Sequence, residues 1–161
     1  MSKSPEVTDL TISRVAVESD NVYDDPRFTE LARLYAQLLD ASWDKTSQPP
    51  EGELASVLQM MRECTDTFAI EEQGTVRGVA VVDINDETAW LEVLVVDATR
   101  RDLGIGQRAP LLIEEIACLQ GATSMLLTPT YRATSFYERA GYVCATDSVT
   151  MPTYQKTLRA Q

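Results

Sequence analysis

Residues 95–108 read Val95-Val96-Asp97-Ala98-Thr99-Arg100-Arg101-Asp102-Leu103-Gly104-Ile105-Gly106-Gln107-Arg108. The stretch is the end of an apolar strand, a short polar loop, and two closely spaced glycines that open a helix. Such a loop turns backbone N–H groups inward, and the helix N-terminus behind it adds partial positive charge. Glycine is needed where a side chain would collide with a phosphate or force an unfavourable backbone angle. Arg100, Arg101 and Arg108 supply charge that a pyrophosphate requires. The segment lacks the Rossmann GxGxxG, since Arg108 and Ala109 follow where the third glycine is wanted, and it lacks the Gly-Lys-Ser/Thr of a P-loop. On residue chemistry alone it reads as an anion-binding helix N-terminus, with a merely structural turn as the alternative.

The pattern on either side decides what kind of sheet carries this loop. Upstream, Thr67–Glu72 and Thr75–Ile84 form a hairpin around Gln73-Gly74. After a turn at residues 85–87, Thr88–Val96 (TAWLEVLVV) is strongly β-prone. Downstream, the spacing of Leu112, Ile113, Ile116 and Leu119 predicts a helix over Gly104–Leu119 that stops at Gly121. Pro110 falls early in it, so a bend or a late start is expected. Thr123–Thr128 follows as a strand, Arg132–Ala140 as a helix ended by Gly141, then Tyr142–Thr146 and Val149–Arg159 as strands, the last interrupted near Pro152. Before the hairpin come a strand at Asp9–Val17 and amphipathic helices at Pro26–Ala41 and Glu53–Cys64, with a loop through the Pro49-Pro50 pair. Consecutive hairpin strands do not open a pure doubly wound fold, so the sheet is expected to be mixed. No linker divides the chain, and residues 1–161 read as one domain.

Composition narrows the function. Apolar residues make up 44% and charged residues 24% of the 161, the profile of a globular chain. The apolar runs fall short of the ~20 residues that cross a bilayer. The polar start, without an apolar signal segment, makes a cytoplasmic location the expectation and gives no reason for a membrane partner. Histidine is absent, and Cys64, Cys118 and Cys144 form no CxxC pair, so the usual zinc patterns and histidine-based nucleophilic catalysis are excluded. Cys64 and Cys118 fall on apolar stripes and read as buried free thiols. Residues 1–96 carry 19 acidic and 7 basic side chains, a net of −12, whereas residues 97–161 carry 6 and 7, a net of +1. That balance argues against a nucleic-acid surface. It either aids solubility or sets an acidic side for a cationic amine against a side that binds a phosphorylated cofactor.

The segment Arg101–Gly106 has an Arg, two variable residues, a Gly, one variable residue and a second Gly. In this it resembles the cofactor loop of the GNAT family of N-acetyltransferases. A second signature, Thr130-Tyr131-Arg132-Ala133-Thr134-Ser135-Phe136-Tyr137-Glu138-Arg139-Ala140-Gly141-Tyr142, resembles the family's NxxAxxxYxxxGF. The two stand in the family's order, with a strand between them. The resemblance implies an acyl-CoA N-acyltransferase fold of the α/β class in its α+β form. This is a single domain whose mixed, largely antiparallel central sheet is flanked by helices. It implies transfer of an acetyl group from acetyl-CoA to a primary amine by direct attack in a ternary complex, without a metal. The alternative is a catalytically weakened acyl-CoA-binding or sensing protein. A homodimer is compatible with the family.

The resemblance also implies site residues. The loop Arg101, Asp102, Leu103, Gly104, Ile105, Gly106 and Gln107 would hold the pyrophosphate. Leu94, Val95 and Val96 would pair with pantetheine through their backbone, and Thr130, Ala133 and Phe136 would line the cofactor arm. Tyr137 stands where the family has a proton donor for the leaving sulfur, a task suited to a phenol that stays protonated at neutral pH. On its own it also reads as a helix-face aromatic. Glu92 interrupts the apolar run of its strand, on the face expected to hold Trp90 and Leu94. It is a candidate general base or an ordinary polar residue of a half-exposed sheet, and Glu30 or Asp40 are other carboxylates for the task. The chain departs from the pattern in Asp102, where glycine is usual, and in Thr130, where asparagine is usual.

Overall fold

The computed structural model describes residues 10–39, 51–96, 105–129, 133–146 and 152–158. Seven strands make one sheet: β1 (Leu10–Arg14), β2 (Asp66–Glu72), β3 (Thr75–Asn85), β4 (Thr88–Val96), β5 (Ser124–Leu127), β6 (Val143–Cys144) and β7 (Tyr154–Thr157). Their order is β1-β2-β3-β4-β5-β7-β6, and every pairing is antiparallel except β4 with β5. The sheet is therefore mixed and largely antiparallel. Four helices accompany it: α1 (Pro26–Leu39), α2 (Glu51–Arg62), α3 (Ile105–Leu119) and α4 (Thr134–Arg139), with a short 3-10 turn at Val22–Asp24. Among the described residues no helix is long and apolar enough to cross a membrane.

The helices cover both faces because their apolar stripes demand it. Phe28, Leu31, Ala32 and Leu34 of α1 join Val57, Leu58 and Met61 of α2 in one buried cluster with Val79 and Val81 of β3. On the other face Ala109, Ile113 and Ala117 of α3 pack with Tyr137 of α4 and with Ala80 and Val82 of β3. The central strand is thus apolar on both sides, as a strand covered twice must be. The β2–β3 hairpin turns on Gln73 and Gly74, both at positive φ (50° and 81°), as a two-residue loop between right-twisted strands requires.

Glycines close the two helices on the α3 side of the sheet. At α4 the N–H of Gly141 donates to Glu138 O at 3.1 Å, and that of Tyr142 to Tyr137 O at 3.0 Å. This is a Schellman motif, and Gly141 takes the left-handed φ of 100° that it needs. Gly121, at φ 96°, ends α3 in the same way. Pro110 lies inside α3, which spans Ile105–Leu119, so of the bend or late start expected from the sequence the late start does not occur.

Candidate acyl-transfer site

β4 and β5 run side by side only briefly. Thr88, Ala89 and Trp90 pair with Ser124, Met125 and Leu126, and beyond Trp90 the described part of β5 offers no ladder partner to Leu91–Val96. The ladder ends there because β5 is short, stopping at Leu127, and among the described residues the backbone groups of Leu91–Val96 have no strand partner on that side. Buried backbone donors and acceptors need partners. A ligand with an amide-bearing arm can supply them. The described part of α3 begins at Ile105, nine residues after β4 ends, with Ile105 and Gly106 in its first turn and Gln107 exposed. Arg101, Asp102, Leu103 and Gly104 lie outside the described residues, as does Thr130.

Glu92 sits at a β-bulge. Val81 of β3 pairs with Val93 and Val82 with Leu91, so Glu92 is the extra residue of β4. The bulge reverses the alternation of the strand. Ala89 and Leu91 belong to the cluster under α3, and Leu94 and Val96 pack against that same cluster, whereas Val93 and Val95 belong to the cluster under α1 and α2. The expectation that Trp90, Glu92 and Leu94 share one face is corrected here: the inserted residue sends Leu94 to the face opposite Trp90. Glu92 is exposed and lines a pocket with Asp83, Asn85, Trp90, Leu91 and Thr128.

Tyr137 lies on the other face. It is 9% exposed and stands edge-on to Phe136 and Tyr142, at ring-centroid distances of 5.0 Å and 5.6 Å. Burial pushes its pKa up to about 12. Phe136 and Ala133 are partly buried against the same cluster. The sheet thus places Tyr137 with Leu94 and Val96 on the α3 side and Glu92 with Asp83 and Trp90 on the α2 side. Glu30 is less suited to act as a base, because it is ion-paired with Arg33 on α1. Asp40 lies outside the described residues.

Cys64, half-buried just beyond α2, is the thiol that senses Glu92. Burial first, then the charges of Glu92, Asp83 and Glu63, push its pKa up to about 11. Cys118 is likewise half-buried and Cys144 is exposed, so Cys64 and Cys118 are less deeply buried than their apolar stripes suggest. Among the described residues no group of three or more His, Cys, Asp or Glu is placed to hold a metal ion.

Asp83 and Thr128 carry no signal in the sequence. Both enter the pocket through register, Asp83 because it pairs with Trp90 and Thr128 because it directly follows β5. The same holds for Gly78, whose place in β3 leaves no room for a side chain against the Val95 carbonyl.

Known structures share this fold. Ard1 from Thermoplasma volcanium superimposes with a TM-score of 0.66 at 18% identity, covering 93% of this chain and 98% of its own. The PaiA N-acetyltransferase of Thermoplasma acidophilum, solved in complex with coenzyme A, gives 0.63 at 17% identity, with coverage of 92% and 99%. An aminoglycoside 6'-N-acetyltransferase complexed with coenzyme A gives 0.65 at 18%, with coverage of 94% and 98%. At such identities the likeness speaks for the fold. No match was found among curated protein sequences. The family model described as "Acetyltransferase (GNAT) family" matches residues 28–142, well over half of the sequence. On that match, carried by a fold of this kind, the chain belongs to the GNAT family of acetyltransferases.

Proposed function

We propose that the protein transfers an acetyl group from acetyl-CoA to a primary amine in a ternary complex. The end of the β4–β5 ladder at Trp90 carries this reading, because among the described residues it leaves Leu91–Val96, and so the backbone of Leu94–Val96, without a strand partner on that side. Those groups suit an amide-bearing pantetheine arm, and the α3 N-terminus with the preceding loop suits a pyrophosphate. Acetyl-CoA supplies the activated acyl group. Glu92 accepts a proton from the acceptor ammonium, directly or through water, from the α2 side. As the amine nitrogen bonds to the acyl carbon and the carbon–sulfur bond breaks, Tyr137 supplies a proton to the leaving sulfur from the α3 side, and the second proton shed by the nitrogen restores the phenol. A backbone N–H of β4 donates to the acyl oxygen as charge develops on it.

Direct transfer is favoured over a cysteinyl intermediate by the state of Cys64. A thiol with a pKa of about 11 is almost wholly protonated at pH 7 and is a poor nucleophile. Cys64→Ser is therefore expected to retain transfer within a few-fold, with intersecting rather than parallel initial-rate lines. Loss of activity in this variant, if it remains folded, would point to an acyl-cysteine route.

The acceptor is proposed to be cationic. Asp83 and Glu92 share a pocket with the indole of Trp90, a combination that attracts an ammonium by charge and by the ring face. The test is a mass-spectrometric screen with acetyl-CoA against polyamines, aminoglycosides, lysine peptides, free peptide N-termini and acidic amino acids. Cationic amines should be acetylated fastest, and added salt should narrow their lead. Preference for an acidic acceptor would reverse the assignment. Tight acetyl-CoA binding without transfer to any amine would favour the acyl-CoA-binding alternative.

A further inference from the structure

A partly buried polar assembly reaches Tyr137 through the ring of Tyr142. Glu114, in the middle of α3, is 7% exposed and has two partners. Lys156 of β7 donates from Nζ to its Oε1 at 2.7 Å, and the Tyr142 hydroxyl donates to its Oε2 at 3.3 Å. Lys156 Nζ also lies 5.7 Å from the centroid of the Tyr142 ring. Tyr142 itself is 2% exposed.

Stability is a weak reason to bury such a group. Desolvating a carboxylate and an ammonium offsets most of their attraction, and an apolar replacement of similar volume is often as stable. What the assembly does provide is orientation. Tyr142 is held at its backbone by the Schellman bond to Tyr137 O and by the near-complete burial of its ring, and its hydroxyl points to Glu114 at 3.3 Å. That ring is one wall of the Tyr137 site, edge-on at 5.6 Å, and Phe136 is another. Dispersion contacts alone hold a ring softly, and a wall whose hydroxyl also reaches a carboxylate, here at a long 3.3 Å, has one more point that fixes its direction.

We propose that Glu114 and Lys156, acting through Tyr142, are positioning residues that hold the Tyr137 hydroxyl in the orientation its proton transfer uses. The inference rests on the proposed role of Tyr137 as proton donor. It also assigns a task to three side chains, on α3, β7 and the end of α4, that touch no reacting atom.

The test is a double-mutant cycle read in single turnover, as release of the CoA thiol from acetyl-CoA, with spermidine and with water alone as acceptors. Tyr142→Phe keeps the ring and removes its tether. Glu114→Gln keeps a hydrogen-bond acceptor and removes the charge that holds Lys156. Tyr142→Phe is expected to slow release about 10-fold and Glu114→Gln less, with acetyl-CoA affinity unchanged within about two-fold. In a Tyr137→Phe background neither change should slow release further, because no hydroxyl is left to position. A merely structural role predicts the same fractional loss in both backgrounds, and that result overturns the positioning while leaving the donor reading intact. Equal release by Tyr137→Phe and the parent, or no release by the parent with either acceptor, overturns the donor reading and the positioning with it. Circular dichroism melts confirm that each variant is folded.

Discussion

Tyr137→Phe is expected to lower the single-turnover rate of acetyl transfer about 100-fold, the range of general acid catalysis. Acetyl-CoA affinity should stay within a few-fold of the parent. The change removes only the hydroxyl. The ring keeps its edge-on contacts with Phe136 and Tyr142, and the proposed cofactor contacts lie on β4 and at the start of α3. Burial pushes the phenol up to about 12, so it holds its proton throughout the neutral range and can act as an acid but not as a base. The parent's rate should accordingly show no alkaline fall from this group until pH approaches 12, where an ordinary phenol would already have failed near 10. The sign for stability is the same. The folded state binds this proton more tightly than the unfolded one, so its contribution is complete below pH 10 and is lost as pH rises through about 12. The rate must be taken where chemistry limits turnover, since slow product release would hide the loss. Equal rates for variant and parent would remove Tyr137 from catalysis.

Much of the fold is legible in the chain because its signals are local. Thr88–Val96 is a strand with the bounds its β-branched run predicts, and Gly121 and Gly141 end helices where left-handed glycines are expected. The 3-10 turn at Val22–Asp24 falls in a stretch rich in Asp, Asn and Pro that reads only as a break. The bulge at Glu92 is not legible. A strand's period of two assumes uninterrupted pairing, and the insertion of one residue depends on β3, which the β4 sequence does not contain. For the same reason the simple alternation puts Leu94 on the wrong face. The partners of Tyr142 are hidden because Glu114 and Lys156 lie 28 residues before and 14 after it, joined only by the packing of α3 over β7. Residues 101–104, which give the strongest family signal, lie outside the described residues, so the geometry of the site rests on β4 and the start of α3.

Gly78→Val should damage both the fold and the cofactor slot, and the two effects can be separated. Gly78 pairs with Val96 in the β3–β4 ladder, and its φ is not left-handed, so space rather than backbone freedom demands a glycine. A Cβ placed there would lie 2.8 Å from the Val95 carbonyl oxygen and 3.2 Å from Ile70 Cδ1. Ile70 can turn its side chain away. The Val95 oxygen belongs to the backbone of β4, so relief requires the strand itself to move. Overpacking of this kind costs about 1–3 kcal/mol, with Val costing more than Ala. The strand that moves is the one proposed to pair with pantetheine, and a shift of even part of an ångström there weakens alignment of the acyl group. Urea unfolding should show a lower midpoint for Gly78→Val with Gly78→Ala between it and the parent. Calorimetry below the transition should show acetyl-CoA binding weakened about 10-fold, equivalent to ~1.4 kcal/mol of lost binding. A variant as stable as the parent would mean that β3 and β4 do not approach so closely. Lost stability with unchanged acetyl-CoA affinity would mean that the donor does not rest on Val95 and Val96, and its place would have to be sought elsewhere along β4.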